Sequence, residues 1–408
     1  MRYRTQIKID AKALLHNVRR VKYFVPNTRI IAMIKANAYG HGVSSVGQVL
    51  APEVDIFGVA CLKEALELQN EMLNKPILLM GGVSSPQEWP VVWSHQFNVV
   101  LHQPWQVESL LKFLSKRKKT RKTMSVWVKI DTGMHRLGLL PEEVPEIYER
   151  LIQCPLINPS IGFMTHFACA DEIKNPLTLQ QMRLFDKILK SLAINPEHTK
   201  RSLANSAGVI AWPETHGHLS LSKDERYALL SNIEMLGGES AENQAFDSEK
   251  QSSAQYLNYV RPGIMLYGIS PFADKMGADF GLRPVMSLKS HIIAIKTCKK
   301  SESVGYGATW KAPEDCLIAI VAAGYGDGYP RHISDEAVVW VDGHYLPIVG
   351  RVSMDMLAIN ISSWLEAKIG AAVELWGPHL PVEQVAKFSN TSPYELVSQV
   401  TSRARVKV

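Results

Sequence analysis

The chain has 408 residues, a hydrophobic fraction of 46%, a charged fraction of 21% and a formal net charge of +6. This is the composition of a globular protein long enough for two domains, and it excludes a disordered, collagen-like or disulfide-stapled chain. The five cysteines are scattered without a Cys-x-x-Cys pair and no stretch is apolar for membrane-spanning length, so a reducing cytoplasm is expected and neither a metal site nor a membrane partner is.

Residues 5–9 alternate as a short strand. Asp10 then caps a helix over 11–24, where Ala13, Leu14, Val18 and Val21 share one face. The next apolar run stops at Lys35, within Ile30-Ile-Ala-Met-Ile-Lys35-Ala-Asn-Ala-Tyr39-Gly-His-Gly42, and a turn of small residues follows. A lysine at the end of an apolar strand is costly unless its head reaches water or loses its charge. The first case is an ordinary strand end. The second is a nucleophile able to form a Schiff base.

From here strand candidates recur at 29–35, 56–61, 77–81, 98–101, 125–130, 161–166, 201–205 and 259–264. Amphipathic helices at 62–73, 106–114, 141–152 and 179–192 are the clearest of the segments between them. Eight near-continuous apolar strands alternating with helices predict an α/β fold, a closed parallel (β/α)8 TIM-type barrel over residues 1–270. The basic run at 116–122 lies between a helix and a strand. Without interleaved aromatics it reads as a solvated loop, and no nucleic-acid partner is expected. An insert at about 219–255, rich in Ser, Glu, Asn and Gln, exceeds the link that the barrel needs, and is expected to leave from the face opposite the active site. Residues 271–408 form a second, mostly β domain. Its strands are expected at 285–298, 315–323, 337–341, 346–349, 357–361 and 372–376, with a hairpin turn at Asp342-Gly343 and helices at 382–388 and near 393–400.

Reactive groups in such barrels gather at the C-terminal strand ends. The residues there are Lys35, His102, Lys129 with Asp131 and Arg136, His166, Asn205 with Ser206, and Arg261. Together they suggest a ring around one ligand. A Schiff base on Lys35 requires an aldehyde cofactor, usually pyridoxal phosphate. Asn205-Ser206-Ala-Gly opens a helix and offers donors to a phosphate, or is a plain helix cap. Pro262-Gly263-Ile264 offers a close-approach backbone, and Tyr39 can donate from the turn. Arg261 either pairs with a carboxylate or faces the pyridine nitrogen. In the second case it keeps that nitrogen unprotonated and restrains side reactions. Arg136 suits a substrate carboxylate, which Lys129 would repel unless neutralised, for instance by carbamylation. His166 either stacks on the cofactor or is structural. In the second domain Tyr325 stands between glycines at a strand end, placed to act as a base, and Met354-Asp355 could line a pocket.

These motifs resemble the alanine racemase family over almost the whole chain apart from the insert. They are Lys35-Ala-Asn-Ala-Tyr39-Gly-His-Gly, Lys129-Ile-Asp-Thr-Gly-Met-His-Arg136-Leu-Gly, His166-Phe-Ala, Asn205-Ser206-Ala, Arg261-Pro-Gly263-Ile264, Gly324-Tyr325-Gly-Asp-Gly-Tyr and Met354-Asp355. The resemblance implies a pyridoxal-phosphate enzyme that interconverts L- and D-alanine through an aldimine on Lys35 and supplies D-alanine for peptidoglycan. It implies Lys35 and Tyr325 as the two bases, and a homodimer in which Tyr325 and Met354 come across the interface. Arg136 and Met354 would contact the substrate carboxylate. Tyr39, Ser206, Gly263 and Ile264 would hold the phosphate, with His166 and Asn205 also at the cofactor. Arg261 would bond the pyridine nitrogen, and Lys129 would be a candidate for carbamylation. The chain departs from the family at a C-terminal tyrosine that reaches the phosphate, whose place is taken here by Ser402.

Overall fold

The computed structural model describes residues 4–118, 120–192, 194–217 and 256–407; the expected insert at about 219–255 lies outside the described residues. The first strand, β1 (Gln6–Ile9), leads through the Asp10 cap into helix Ala11–Phe24. The Asp10 carboxylate accepts from Lys12 N and Ala13 N at 2.9 and 3.0 Å. Eight parallel strands then close a barrel: β2 (Arg29–Met33), β3 (Ile56–Val59), β4 (Ile77–Leu79), β5 (Asn98–Leu101), β6 (Val126–Lys129), β7 (Gly162–Met164), β8 (Lys200–Ser202) and β9 (Leu257–Val260). β9 returns to β2 through the pairs Arg29↔Tyr259 and Ile30↔Val260, which removes every edge. All eight expected strands are present. Most end one to four residues earlier than the apolar pattern suggests, because the last residues leave the ladder to turn into the barrel mouth.

The barrel interior is a packed core. Trp127 and Tyr259 meet edge to face at 5.2 Å between ring centroids. Gly162 on the neighbouring strand makes room for the indole, since a Cβ there would lie 2.3 Å from the Trp127 ring. In the basic run, the Arg117 guanidinium packs 4.1 Å over the Phe113 ring and 5.4 Å from Trp93, so this charge rests on aromatic faces.

The second sheet contains β10 (Met286–Cys298), β13 (Cys316–Val321), β14 (Val338–Val341), β15 (His344–Val349), β16 (Leu357–Asn360), β17 (Ala372–Trp376) and β18 (Arg405–Lys407), in the order β13-β16-β15-β14-β17-β10-β1-β18. The short pair β11 (Ser303–Val304) and β12 (Trp310–Lys311) stands beside it. Asp342 and Gly343 both have positive φ, as a tight hairpin turn requires. β1 belongs to this sheet although it lies within residues 1–270: it pairs antiparallel with β10 and parallel with β18. The two units are also tied by Asn17. Its amide donates to Leu266 O and Arg283 O and accepts from Arg283 N at 3.0, 2.8 and 2.8 Å. No described helix is long and apolar enough to cross a membrane.

Candidate active site

β2 ends at Met33, and Ile34 carries the chain out of the barrel to Lys35. The four residues that follow, Ala36, Asn37, Ala38 and Tyr39, all have φ between 51° and 54°, so the turn is left-handed. That handedness costs L-residues about 1–2 kcal/mol each, and several side chains hold it in place. Ala36 N donates to Glu64 Oε1 at 2.7 Å, and Asn37 Oδ1 accepts from Val43 N at 2.9 Å. His41 Nδ1 lies 3.1 and 2.8 Å from Ala38 O and Tyr39 O. His41 is fully buried, and burial lowers its pKa to about 4; the neutral ring donates from Nδ1 to these carbonyls. Gly40, at φ 79°, lets the turn abut helix Pro393–Ser398 of the second unit, since a Cβ there would strike Val397 O. The motif is legible as a small-residue turn. Its handedness is hinted at only by Asn37, Gly40 and Gly42.

The strand ends collect one set of mutually coupled cations. Burial, and then Arg136, lower the Lys35 pKa, while Glu64 opposes them. Lys129 is buried at the end of β6. Burial, Arg261 and Arg136 bring its pKa to about 8, with Asp131 as the opposing charge. His166, just past β7, is held well below its ordinary value by burial, then by Arg261, Lys129, Arg136 and Lys35. The charges of Lys35, Lys129, Arg136 and Arg261 thus all act on His166 at the strand ends.

Arg261 is buried without a carboxylate partner among the described residues. Its Nη1 donates to Ser202 O and Oγ at 2.8 and 2.6 Å; its Nη2 donates to Thr165 O and Leu203 O at 2.5 and 3.1 Å. These neutral acceptors fix the guanidinium without neutralising it, and Nε–H is its remaining donor. Arg136 is exposed on the loop after β6. Asp131 shapes that loop by accepting from Gly133 N, Met134 N and His135 N at 2.9, 3.0 and 3.1 Å.

A buried network that local sequence patterns do not reveal joins this loop to the other strand ends. Gln181 Nε2 donates to Thr132 Oγ1 and His166 O at 3.3 and 3.0 Å, and its Oε1 accepts from Ala168 N at 3.0 Å. Thr132 Oγ1 and Thr165 Oγ1 lie 2.7 Å apart, and Thr165 O is an Arg261 acceptor. The loop of Arg136 and the Arg261 guanidinium are thus parts of one hydrogen-bonded frame.

The rim at Ser206, Gly263 and Tyr39 is equally constrained. Ser206 is buried at the start of helix Ser206–Ala211, and its Oγ accepts from Gly263 N at 3.0 Å. Gly263 precedes Ile264, and a Cβ on it would lie 2.5 Å from Tyr39 Oη. The Tyr39 phenol is buried, and burial raises its pKa to about 12, which keeps the hydroxyl a proton donor. Asn205 caps the helix by accepting from Gly208 N at 2.9 Å, so this side chain is engaged within the protein. His102 meets Gly81 O at 2.9 Å and Gln106 at 3.2 Å, as a structural histidine does. Four cationic residues, a histidine and the tight Tyr39–Gly263–Ser206 cradle converge. Asp131 and Glu64 are the carboxylates acting on Lys129 and Lys35. The residues fit a ligand carrying a phosphate, an aldehyde for a lysine and a second anionic group.

Tyr325 and Met354 lie on the second unit, 37% and 52% exposed. Their loops are joined by Tyr325 N donating to Ser353 O at 3.1 Å and Gly326 N to Met354 O at 2.9 Å. Arg403 reaches Asp355 at 2.7 Å and Asp327 at 3.9 Å. Thr401 Oγ1 donates to Gly326 O at 2.8 Å, while Ser402 is exposed. Tyr325 and Met354 are thus both exposed, on two loops hydrogen-bonded to each other.

Residues 9–221 match the family model for the alanine racemase N-terminal domain and residues 285–408 that for the C-terminal domain. The chain is 42% identical over 403 residues to an alanine racemase of Legionella pneumophila (strain Lens), covering 99% of each chain. It is 37% identical over 402 residues to the biosynthetic alanine racemase of Escherichia coli (strain K12), covering 98% of each. Among solved structures, biosynthetic alanine racemase from Pseudomonas aeruginosa superposes with a TM-score of 0.83 at 36% identity, covering 100% of this chain and 99% of that one. Alanine racemase from Bartonella henselae with covalently bound pyridoxal phosphate superposes with a TM-score of 0.79 at 25% identity, covering 100% and 99%.

Proposed function

This chain belongs to the alanine racemase family, and from that premise we propose that it interconverts L- and D-alanine by a two-base mechanism in which Lys35 and Tyr325 act on opposite faces of the substrate. The observation that carries the reading is the placement of Lys35, with a lowered pKa, among Arg136, Lys129, His166 and Arg261 at one barrel mouth.

Lys35 would hold pyridoxal phosphate. Ser206, Tyr39 and the Gly263–Ile264 backbone would hold its phosphate, His166 and Asn205 would border it, and Arg261 would face its pyridine nitrogen. Bound there, the cofactor supplies the electron sink that makes the α-proton of alanine acidic. Arg261 limits that sink, because a guanidinium is a poor proton donor to the pyridine and disfavours side reactions that need a stronger one. Arg136 and Met354 receive the substrate carboxylate. Lys129, whose lowered pKa exposes a neutral amine, is a candidate for carbamylation, which would turn a repelling ammonium into a carboxylate that steadies Arg136. The Lys35 amine serves the D-enantiomer and the Tyr325 Oη the L-enantiomer. Each takes the proton on one face and returns it on that face in the reverse direction.

Tyr325 and Met354 are read as contributions to the barrel mouth of the partner in a homodimer. Their joint exposure on two loops hydrogen-bonded to each other supports this. Relatives named biosynthetic support a cytoplasmic role in supplying D-alanine for peptidoglycan. The test is kinetic. Lys35→Ala and Tyr325→Phe should each abolish racemisation, and a Tyr325→Phe enzyme that racemises fully in both directions overturns the two-base assignment.

A further inference from the structure

We propose that Glu64 is a positioning residue for Lys35: its carboxylate pins the first peptide of the left-handed turn and supplies the negative charge against which the lysine head works. The inference rests on the reading of Lys35 as the cofactor-bearing lysine and base.

Glu64 lies in the first turn of helix Leu62–Gln69. Its Oε1 accepts from Ala36 N at 2.7 Å and its Oε2 accepts from Ala60 N at 2.7 Å. Ala36 follows Lys35, and Ala60 follows the end of β3. One side chain therefore fastens two neighbouring strand ends at the rim, through short charge-assisted bonds. Ala36 is also the first of the four left-handed residues, so the bond sits where the chain enters the strained turn and fixes the direction in which Lys35 leaves the backbone. Release of Ala36 would let the turn relax and move the amine relative to Arg136 and the cradle at Gly263.

The same carboxylate has an electrostatic part. Arg136 and Lys129 are the cationic groups that couple to Lys35, and Glu64 is the carboxylate acting on it among the described residues. Removal of its charge leaves Lys35 facing cations alone and disfavours a proton on Nζ. A residue that merely capped a helix would have no such effect.

The experiment uses the full holoenzyme and three chains, wild type, Glu64→Gln and Glu64→Asp, with Lys35→Ala as a control. The visible absorbance of lysine-bound pyridoxal phosphate is titrated with pH, and kcat and KM are measured in both directions. Glu64→Gln keeps the shape but loses the charge and one acceptor oxygen, so one of the two backbone bonds goes with it. Its titration midpoint should fall by about half a unit or more, and kcat should fall with little change in KM. Glu64→Asp keeps the charge on a shorter stem. It should restore most of the midpoint while kcat stays reduced, which separates charge from geometry. A lysine-bound band in all three chains with an unmoved midpoint and unchanged kcat in Glu64→Gln overturns the proposal. A Lys35→Ala chain that loads cofactor and still shows the lysine-bound band overturns the underlying reading of Lys35 instead.

Discussion

Replacement of Lys129 by methionine keeps an unbranched chain of similar length and removes the buried ammonium. The fall in pKa from 10.5 to about 8 makes folding pay about 3 kcal/mol at neutral pH to keep this group charged. The sign follows from proton binding. Between pH 8 and 10.5 the unfolded lysine holds a proton that the folded one has released, so stability rises with pH across that window. Below it, the full burden remains. Lys129→Met should therefore be more stable than wild type at pH 7 by up to about 3 kcal/mol, with the gap shrinking as pH approaches 10.5. Urea unfolding of both chains at several pH values, in buffers freed of carbon dioxide, measures it. Bicarbonate adds a second arm. At pH 7 a lysine with a pKa of about 8 is neutral in about one molecule of ten, some 300-fold more than an ordinary lysine. That amine attacks carbon dioxide, an N–C bond forms, and the displaced N–H proton passes to water. The carbamate is an anion among cations, so bicarbonate should narrow the gap for wild type and leave the variant unmoved. A gap independent of both pH and bicarbonate, or a variant less stable at pH 7, refutes the reasoning.

Two other changes test the frame of the site. Gly162→Ala drives a Cβ into the Trp127 ring inside the barrel, and should lower stability by about 1–3 kcal/mol in urea unfolding. Arg261→Lys keeps the charge but gathers its donors on one nitrogen, so some of the acceptors at Ser202, Thr165 and Leu203 are left unpaired. A loss of about 2–4 kcal/mol is expected, together with a higher rate of transamination side product per turnover, read by chromatography of the cofactor.

The barrel was legible because each buried parallel strand is a continuous apolar run, and the helix at 11–24 because its cap and apolar stripe agree. β1 was legible as a strand, since Ile7 and Ile9 alternate with exposed positions, but its sheet was not. Its partner β10 lies far along the chain, and local alternation says nothing about which sheet a strand joins. Lys35, Lys129, His166 and Arg261 could be collected from sequence because barrel topology assigns them to one end. The left-handed turn was hidden, since alanine carries no signal for it. Glu64 and Gln181 were hidden as well: each acts through hydrogen bonds to other elements, and no spacing rule marks such residues. Asn205 shows the reverse case. Its motif admits both a ligand contact and a cap, and the side chain caps its helix.

The central claim is that Lys35 and Tyr325 meet in one site although they come from two chains. Lys35→Ala and Tyr325→Phe proteins, each inactive alone, should be mixed, unfolded, refolded together and assayed for racemisation. In a mixed dimer one site then carries both lesions and the other carries neither. Random pairing should restore about one quarter of the wild-type activity. If both residues served a site within their own chain, every site in the mixture would stay defective, and a mixture as inactive as its components would contradict the account.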